Sequence, residues 1–298
     1  MDVSIVGAGR VGTALGVRLR QAGHRILAVS GRTATAERAA RFLPGVPVTE
    51  PVEAARGADV VLITTPDDRI AEVCDRVASA WSSAEGRFVA HASGATGLDA
   101  LSSAAAVGAT VLSIHPLQSF PNVELALARL DGSAIAVTAR AHEGFALGER
   151  LARDIGGRPF RLADEDKPLY HAAAVFASNY LVAVLSVAEE LFGRMGLERE
   201  QFLPLSRASL DNVAATGAAL ALTGPAVRGD AGTIERNLRA LERVDPACVS
   251  PYRVLAAVAL DLAERAGRLT PEGRRAVDEV LEQWSPAGGG RPPASARG

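Results

Sequence analysis

The strand Asp2–Val6 runs directly into Gly7-Ala8-Gly9-Arg10-Val11-Gly12, and a helical pattern then continues to Gln21. Few folds accept that order. A short β-branched strand, glycines spaced G-x-G-x-x-G and a helix are what a dinucleotide-binding βαβ unit requires. The first glycine permits a tight turn, the second lets a pyrophosphate approach the backbone, and the third lets helix and strand pack closely. The helix N-terminus supplies N–H groups and positive potential. The spacing predicts that Gly7, Ala8, Gly9, Arg10, Val11 and Gly12 cradle a dinucleotide. The next strand, Arg25–Val29, ends in Ser30-Gly31-Arg32-Thr33, where an NAD-preferring fold usually places an acid for the ribose 2′-OH. Here a guanidinium and hydroxyls stand instead, which suits a 2′-phosphate and points to NADP(H) held by Ser30, Arg32 and Thr33. Arg32 helping to cap the following helix is the alternative.

Three further strands are predicted to end in polar tips: Asp59–Thr64 before Thr65-Pro66-Asp67, Arg87–Ala90 before His91-Ala92-Ser93-Gly94, and Thr110–Ile114 before His115-Pro116-Leu117-Gln118. In an open parallel sheet these tips share the C-terminal edge, where ligands bind. Thr64, Thr65, Pro66 and Ser93 are therefore cofactor candidates, and His91, His115 and Gln118 substrate candidates. The alternative for each histidine is a hydrogen-bonded loop residue. Ser133–Thr138, a helix over 141–154, a Gly156-Gly157 turn and Arg158–Leu162 complete a doubly wound, mostly parallel α/β sheet. The first domain is thus 1–162.

From Asp164 to Gly193 one long helix is expected, and after it only helices: 163–284 reads as an all-α domain for substrate and dimerisation. Pro168 fits the first helical position and pushes Lys167 into extended geometry at the helix mouth. Of the 32 Lys and Arg residues Lys167 is the only lysine. Arginine has taken every other place where positive charge suffices, and lysine differs in being able to lose its proton when desolvated. Lys167 is therefore a candidate general acid, with a solvated lysine beside Asp164, Glu165 and Asp166 as the alternative. From His171, Ser178 lies about −20° and Asn179 about 80° around the helix. They form a polar edge on an otherwise apolar rod. Such a rod is normally covered, so a homodimer through the helical domain is expected.

Later helices are predicted near 199–216, 231–243, 250–266 and 271–284, the last with Thr270 as N-cap and Pro271 in its first turn. Between the first two, Leu222–Asp230 is a tight turn in which Arg228, or Arg207 before it, is a candidate anchor for a substrate carboxylate, as is the backbone around Ser93-Gly94; a surface turn with an incidental ion pair is the alternative for Arg228. The tail 285–298 is of low complexity and expected to be disordered. A net charge of −2 offers no basic stripe for nucleic acid. Ser178, Asn179 and Ser186 interrupt the apolar helix, so no membrane span is expected. With a strand entered at once at the N-terminus, no signal peptide is expected. Cys74 and Cys248 lack metal-ligand spacing, so no metal is expected and a reducing, cytoplasmic setting is.

The motifs GAGRVG, HASGATGL, HPLQSF, YHAAAVFASNY and LTGPAVRGD, in this order, resemble a bacterial family with a Rossmann-like domain followed by domain of unknown function 2520. The likeness covers nearly all of 1–284. More distantly the layout resembles ketopantoate reductase, pyrroline-5-carboxylate reductase and the β-hydroxyacid dehydrogenases, with an all-α second domain like that of 6-phosphogluconate dehydrogenase. The resemblance implies an NADP(H)-dependent oxidoreductase of a small oxo or imino acid, ketopantoate first. Lys167 would donate the proton and His171, Ser178 and Asn179 would orient the carbonyl. In the β-hydroxyacid dehydrogenases an Asn follows the Lys by four residues; here His171 occupies that position. A regulatory protein that binds NADP(H) without turnover, and a prephenate-type dehydrogenase suggested by His115-Pro116, are the other readings.

Overall fold

The computed structural model describes residues 1–284; the expected disordered tail lies outside the described residues. Contacts divide the chain into two units, Met1–Leu181 and Val182–Gly298. The first half of the long apolar rod thus belongs to the sheet-containing unit.

In the first unit seven strands form one sheet in the order β2-β1-β3-β4-β5-β6-β7. They are β1 Asp2–Val6, β2 Arg25–Ser30, β3 Val60–Ile63, β4 Phe88–His91, β5 Thr110–Pro116, β6 Ala134–Ala139 and β7 Arg158–Arg161. The first five are parallel; β6 pairs antiparallel to β5, with His115 opposite Ala136, and β7 runs parallel to β6. The helices of this unit are α1 Arg10–Gln21, α2 Thr35–Phe42, α3 Pro51–Ala55, α4 Ile70–Ala78, α5 Ser102–Ala106, α6 Val123–Arg129, α7 His142–Asp154 and α8 Lys167–Val175. Both faces of the sheet are buried, which the period-two alternation of strand side chains makes possible. Val3, Ile5, Leu62, Leu112 and Ile114 join one core with Leu15 and Leu19 of α1 and Leu147 and Leu151 of α7. Val6, Val61, Ile63, Val89 and Val111 join the other with Ile70, Cys74 and Val77 of α4. The sheet is doubly wound, as the strand–helix alternation predicts.

Two expectations about the rod need correction. Lys167 is the first residue of α8, not an extended residue before it, because the turn Asp164–Asp166 already brings Asp166 to helical φ and ψ. The rod is also not one α-helix: Phe176–Tyr180 is a π-helical turn between α8 and α9, Leu181–Gly193. The wider turn changes the angle between His171 and Ser178 from the value an α-helix gives.

The second unit continues with α10 Arg199–Thr216, α11 Ala218–Ala221, α12 Pro225–Arg228, α13 Ala231–Val244, α14 Val249–Arg265 and α15 Pro271–Gln283. Thr270 caps α15 as expected, its Oγ1 accepting from Gly273 N. Ile234, Leu238, Leu260, Val277 and Leu281 form its small core. Large apolar side chains stay exposed along the helices, among them Leu169, Phe176 and Val182 on the rod and Leu205 and Val258 beyond it. By length and composition Lys167–Gly193 and Pro246–Arg265 both reach what a membrane span needs. Core helices of soluble proteins meet the same criterion, so it does not decide against the expectation of no span.

Candidate functional site

The turn after β1 is built as its glycines require. Gly7 has φ +96°, which strains any side chain, and the N–H groups of Gly7 and Ala8 each donate to the Ser30 carbonyl at 2.8 Å. That pair of bonds ties the turn to the tip of β2. A Cβ on Gly12 would stand 2.2 Å from Thr64 Oγ1 and 3.0 Å from the Gly7 carbonyl oxygen, so only glycine lets α1 lie this close to β3. Thr64 Oγ1 itself donates to that same carbonyl at 2.8 Å. Gly9 is different: a Cβ there would meet nothing nearer than the Gly7 oxygen at 3.7 Å. The protein itself does not need a glycine at this position, whereas a ligand approaching the backbone does. The first turn of α1 carries no acidic residue, and no side chain caps it, so its N–H groups and positive potential are free for an anion. These features fit the pyrophosphate of a dinucleotide.

Ser30 is buried and serves the turn through its carbonyl, while Arg32 and Thr33 are exposed beyond the end of β2. The Arg32 guanidinium makes no hydrogen bond or ion pair among the described residues, so it does not cap α2. Arg38, not picked out from the sequence, reaches back from α2 to donate to the Ala8 carbonyl at 2.9 Å. A second guanidinium thus stands at the glycine turn. Arg10 points the other way and donates to the Pro121 carbonyl at 3.2 Å. At the tip of β3, Thr65 Oγ1 is buried with no partner among the described residues, and Pro66 begins a 3-10 turn over Asp67–Arg69.

Beneath the tips of β4 and β5 lies a polar cluster. Lys167 is fully buried; its Nζ donates to the Ser93 carbonyl and to Ser113 Oγ, both at 3.0 Å, and Ser113 Oγ donates onward to the same carbonyl at 3.3 Å. Loss of water pushes the ammonium down to about 8, against the opposing pull of Asp164 and Asp67. The residue expected to donate the proton is thus enclosed, with no exposed surface. Asp164 holds the loop after β4 by accepting from Leu98 N at 3.0 Å. His91, expected to line the site, is also fully buried, and its Nδ1 accepts from Ser93 N at 3.1 Å. Burial, then the charge of Lys167, push it down to about 3, so it is a neutral support under the loop. Ser93 Oγ accepts from Ala95 N and Thr96 N, at 3.2 and 2.9 Å, and shapes that loop.

Above this cluster two rings meet. His115 Nδ1 and the Tyr170 hydroxyl share a hydrogen bond of 2.7 Å, and the His171 ring centroid lies 6.4 Å from that of His115. Both members of the bonded pair are half-buried. The imidazole rests on the backbone of Gly94, where a Cβ would come within 2.8 Å of Nε2. Burial, followed by the nearby charges of Lys167 and His171, pushes His115 down to about 4, and burial pushes the Tyr170 phenol up to about 12. Tyr170 escaped the sequence reading although it stands beside His171, three residues after the one lysine, which places it on the same helical face as Lys167.

Other candidates fall outside the cluster. Gln118 is used up locally: its Nε2 donates to the Arg129 carbonyl at 3.2 Å and its Oε1 accepts from Ser119 N at 2.8 Å. Ser178 and Asn179 are exposed on the π-helical turn and make no side-chain hydrogen bond among the described residues. In the second unit Arg228 is exposed, 3.8 Å from Asp230, whose side chain caps α13 through Thr233 N. Gly229 beside it has φ +64° and packs its backbone onto Gly273, so LTGPAVRGD shapes a corner of that unit. The described residues contain no group of three or more His, Cys, Asp or Glu able to hold a metal.

Fold and cradle together define a Rossmann-like unit followed by helices. Family models agree with that order: residues 1–116 match a Rossmann-like domain and residues 133–259 a domain of unknown function (DUF2520). The chain carries these two domains in succession. No curated protein sequence matches it. Among solved structures it is similar to a Bacteroides fragilis protein assigned as an NADP oxidoreductase, at 24% identity, with 87% of this chain and 98% of that one covered and a TM-score of 0.76. It is also similar to a reductive aminase from Aspergillus terreus in complex with NADPH, at 16% identity, 95% and 92% coverage and a TM-score of 0.60. A third is pyrroline carboxylate reductase from Plasmodium falciparum with NADP bound, at 13% identity, 93% and 98% coverage and a TM-score of 0.58. At these identities the likeness is one of fold.

Proposed function

We propose that this protein is an NADPH-dependent oxidoreductase that reduces the C=O or C=N carbon of a small oxo or imino acid. One observation carries the reading. Gly9 stands open at the N-terminus of an uncapped helix, so the turn has room for a pyrophosphate that the protein's own packing does not explain. Arg32, Thr33 and Arg38 would hold the 2′-phosphate, Gly7–Gly12 the pyrophosphate, and Thr64, Thr65, Pro66 and Ser93 the nicotinamide half. When bound, the nicotinamide supplies a hydride. The half-buried rings of His115, Tyr170 and His171 supply hydrogen bonds to the heteroatom on which negative charge develops. Solved structures of similar fold include a reductive aminase, an imine reductase and a pyrroline carboxylate reductase, so imines belong on the substrate panel beside 2-oxo acids, with ketopantoate first among the latter.

The protein is proposed to work as a cytoplasmic homodimer, a second copy covering the apolar side chains exposed along the rod. Titration with NADPH and NADH, followed by NADPH oxidation across 2-oxo and imino acids, tests the activity. NADPH is expected to bind at least about tenfold more tightly, a preference that Arg32→Ala erodes. Tight NADPH binding with no oxidation by any panel member would instead favour a nucleotide-sensing regulatory protein.

A further inference from the structure

Tyr170 and His115 form the only arrangement around the β4 and β5 tips, among the described residues, in which a proton-bearing side chain is both partly open and hydrogen-bonded to a second titratable one. Lys167 is sealed beneath them and His91 is sealed beside it. We propose that Tyr170 is the proton donor of the reduction and that His115 refills it, with Lys167 acting as a positioning residue below. This rests on the reductase reading above.

A bound reduced nicotinamide would supply a hydride, and with it two electrons, to the carbonyl carbon, and the C=O π pair would move onto oxygen. That oxygen would take the Tyr170 hydroxyl proton. Neutral His115 would relay a solvent proton, passing its Nδ1 proton to the phenolate as Nε2 takes one up from water. The ring thus stays neutral in its other tautomer, and the net consumption is one hydride and one solvent proton. An alkoxide is a stronger base than a phenolate, so the first transfer runs downhill. Both donors are neutral near pH 7, the phenol being held up at about 12 and the imidazole down at about 4, so Tyr170 carries its proton throughout the working range. The titratable groups facing the pair are Lys167 and His171 from α8 and His91 from β4; Asp164 and Asp67 face Lys167.

Geometry fixes the pair from three sides. Phe160 of β7 lies 5.9 Å from the Tyr170 ring, Gly94 seats the His115 ring, and Lys167 pins the Ser93 carbonyl next to Gly94. Moving Lys167 therefore moves the seat of His115 rather than the proton source.

The test uses the full chain and its Tyr170→Phe variant. Single-turnover oxidation of NADPH with an oxo acid should fall by about 10²–10³ in the variant, while NADPH affinity stays within about twofold. The wild-type rate should stay flat through pH 8; a fall of about tenfold per pH unit above 8 would make Lys167 the donor and overturn the proposal. A ligand-free readout is ring-nitrogen NMR of His115, whose tautomer balance should shift in Tyr170→Phe; an unmoved spectrum would show that the hydrogen bond is absent. Wild-type turnover with an unimpaired Tyr170→Phe enzyme overturns the donor assignment alone. Absence of wild-type turnover on every panel member overturns the reductase reading and the donor with it.

Discussion

The Lys167 ammonium lies 3.0 Å from the Ser113 hydroxyl and is completely shut off from solvent. Two of its three protons have acceptors, Ser113 Oγ and the Ser93 carbonyl, so the charge is only partly repaid for lost hydration. Its folded pKa of about 8 lies below the ordinary 10.5. The unfolded chain therefore binds the proton more strongly, and stability contributed by this group is full above 10.5 and lost as pH falls to about 8. Wild-type stability should gain about 3 kcal/mol relative to Lys167→Met between those limits. Urea unfolding of both proteins across that window measures the difference; parallel curves would mean that Lys167 is better solvated than its enclosure implies.

His91 gives the matching prediction on the acid side. Fully buried and held near 3 against an ordinary 6.5, it stays neutral in the fold while the unfolded chain takes up its proton. Its contribution is present above 6.5 and lost as pH falls towards 3. By pH 5 the loss should be about 2 kcal/mol, and a His91→Gln variant should show a correspondingly shallower decline from pH 7. Equal acid sensitivity in the two proteins would count against a neutral, buried His91.

The apolar rod predicts assembly. Leu169 and Phe176 are 75% and 71% exposed, and Val182 on the next turns is 65% exposed, a density of bare apolar side chains that a soluble monomer rarely tolerates. Light scattering at micromolar concentration should give the mass of two chains, and Phe176→Glu should shift it towards one. Purification only with detergent would place the helices Lys167–Gly193 and Pro246–Arg265 in a bilayer instead.

What the sequence displayed and what it hid follow one physical line. Strand alternation, glycine spacing and helix caps are local, so β1 to β7, the Gly7 turn and Thr270 as a cap could be read directly. The antiparallel β6 was not legible, since its direction depends on how the chain returns after Gln118, and Ser133–Thr138 has the same pattern whichever way it runs. The uniqueness of Lys167 marked the site but not its role, because burial is set by Ser93 and Ser113, 74 and 54 residues away. Tyr170 was hidden for the same reason: its partner His115 lies 55 residues off in the chain. The π-helical turn at Phe176–Tyr180 leaves no mark in residue spacing.

Gly9 and Gly12 separate what a glycine does for the fold from what it does for a ligand. A methyl at Gly12 meets Thr64 Oγ1 at 2.2 Å with Ile5 Cγ2 at 3.0 Å behind it, so α1 must lift from the sheet. Gly12→Ala should cost about 2–3 kcal/mol of stability, the scale of overpacking a tight core. Adding Thr64→Ala removes the nearest obstacle and should restore part of that loss, a coupling that a double-mutant cycle reads directly. At Gly9 the same methyl has 3.7 Å of clearance and the φ of −75° suits alanine, so Gly9→Ala should leave the melting temperature unchanged. Its effect belongs to the space above the turn: if a pyrophosphate rests there, the methyl stands in its place and NADPH affinity should fall by at least about tenfold, roughly 1.4 kcal/mol. Thermal melts paired with NADPH titration of the two variants decide the matter. A Gly9→Ala protein that both melts and binds NADPH like wild type would remove the observation on which the nucleotide site rests.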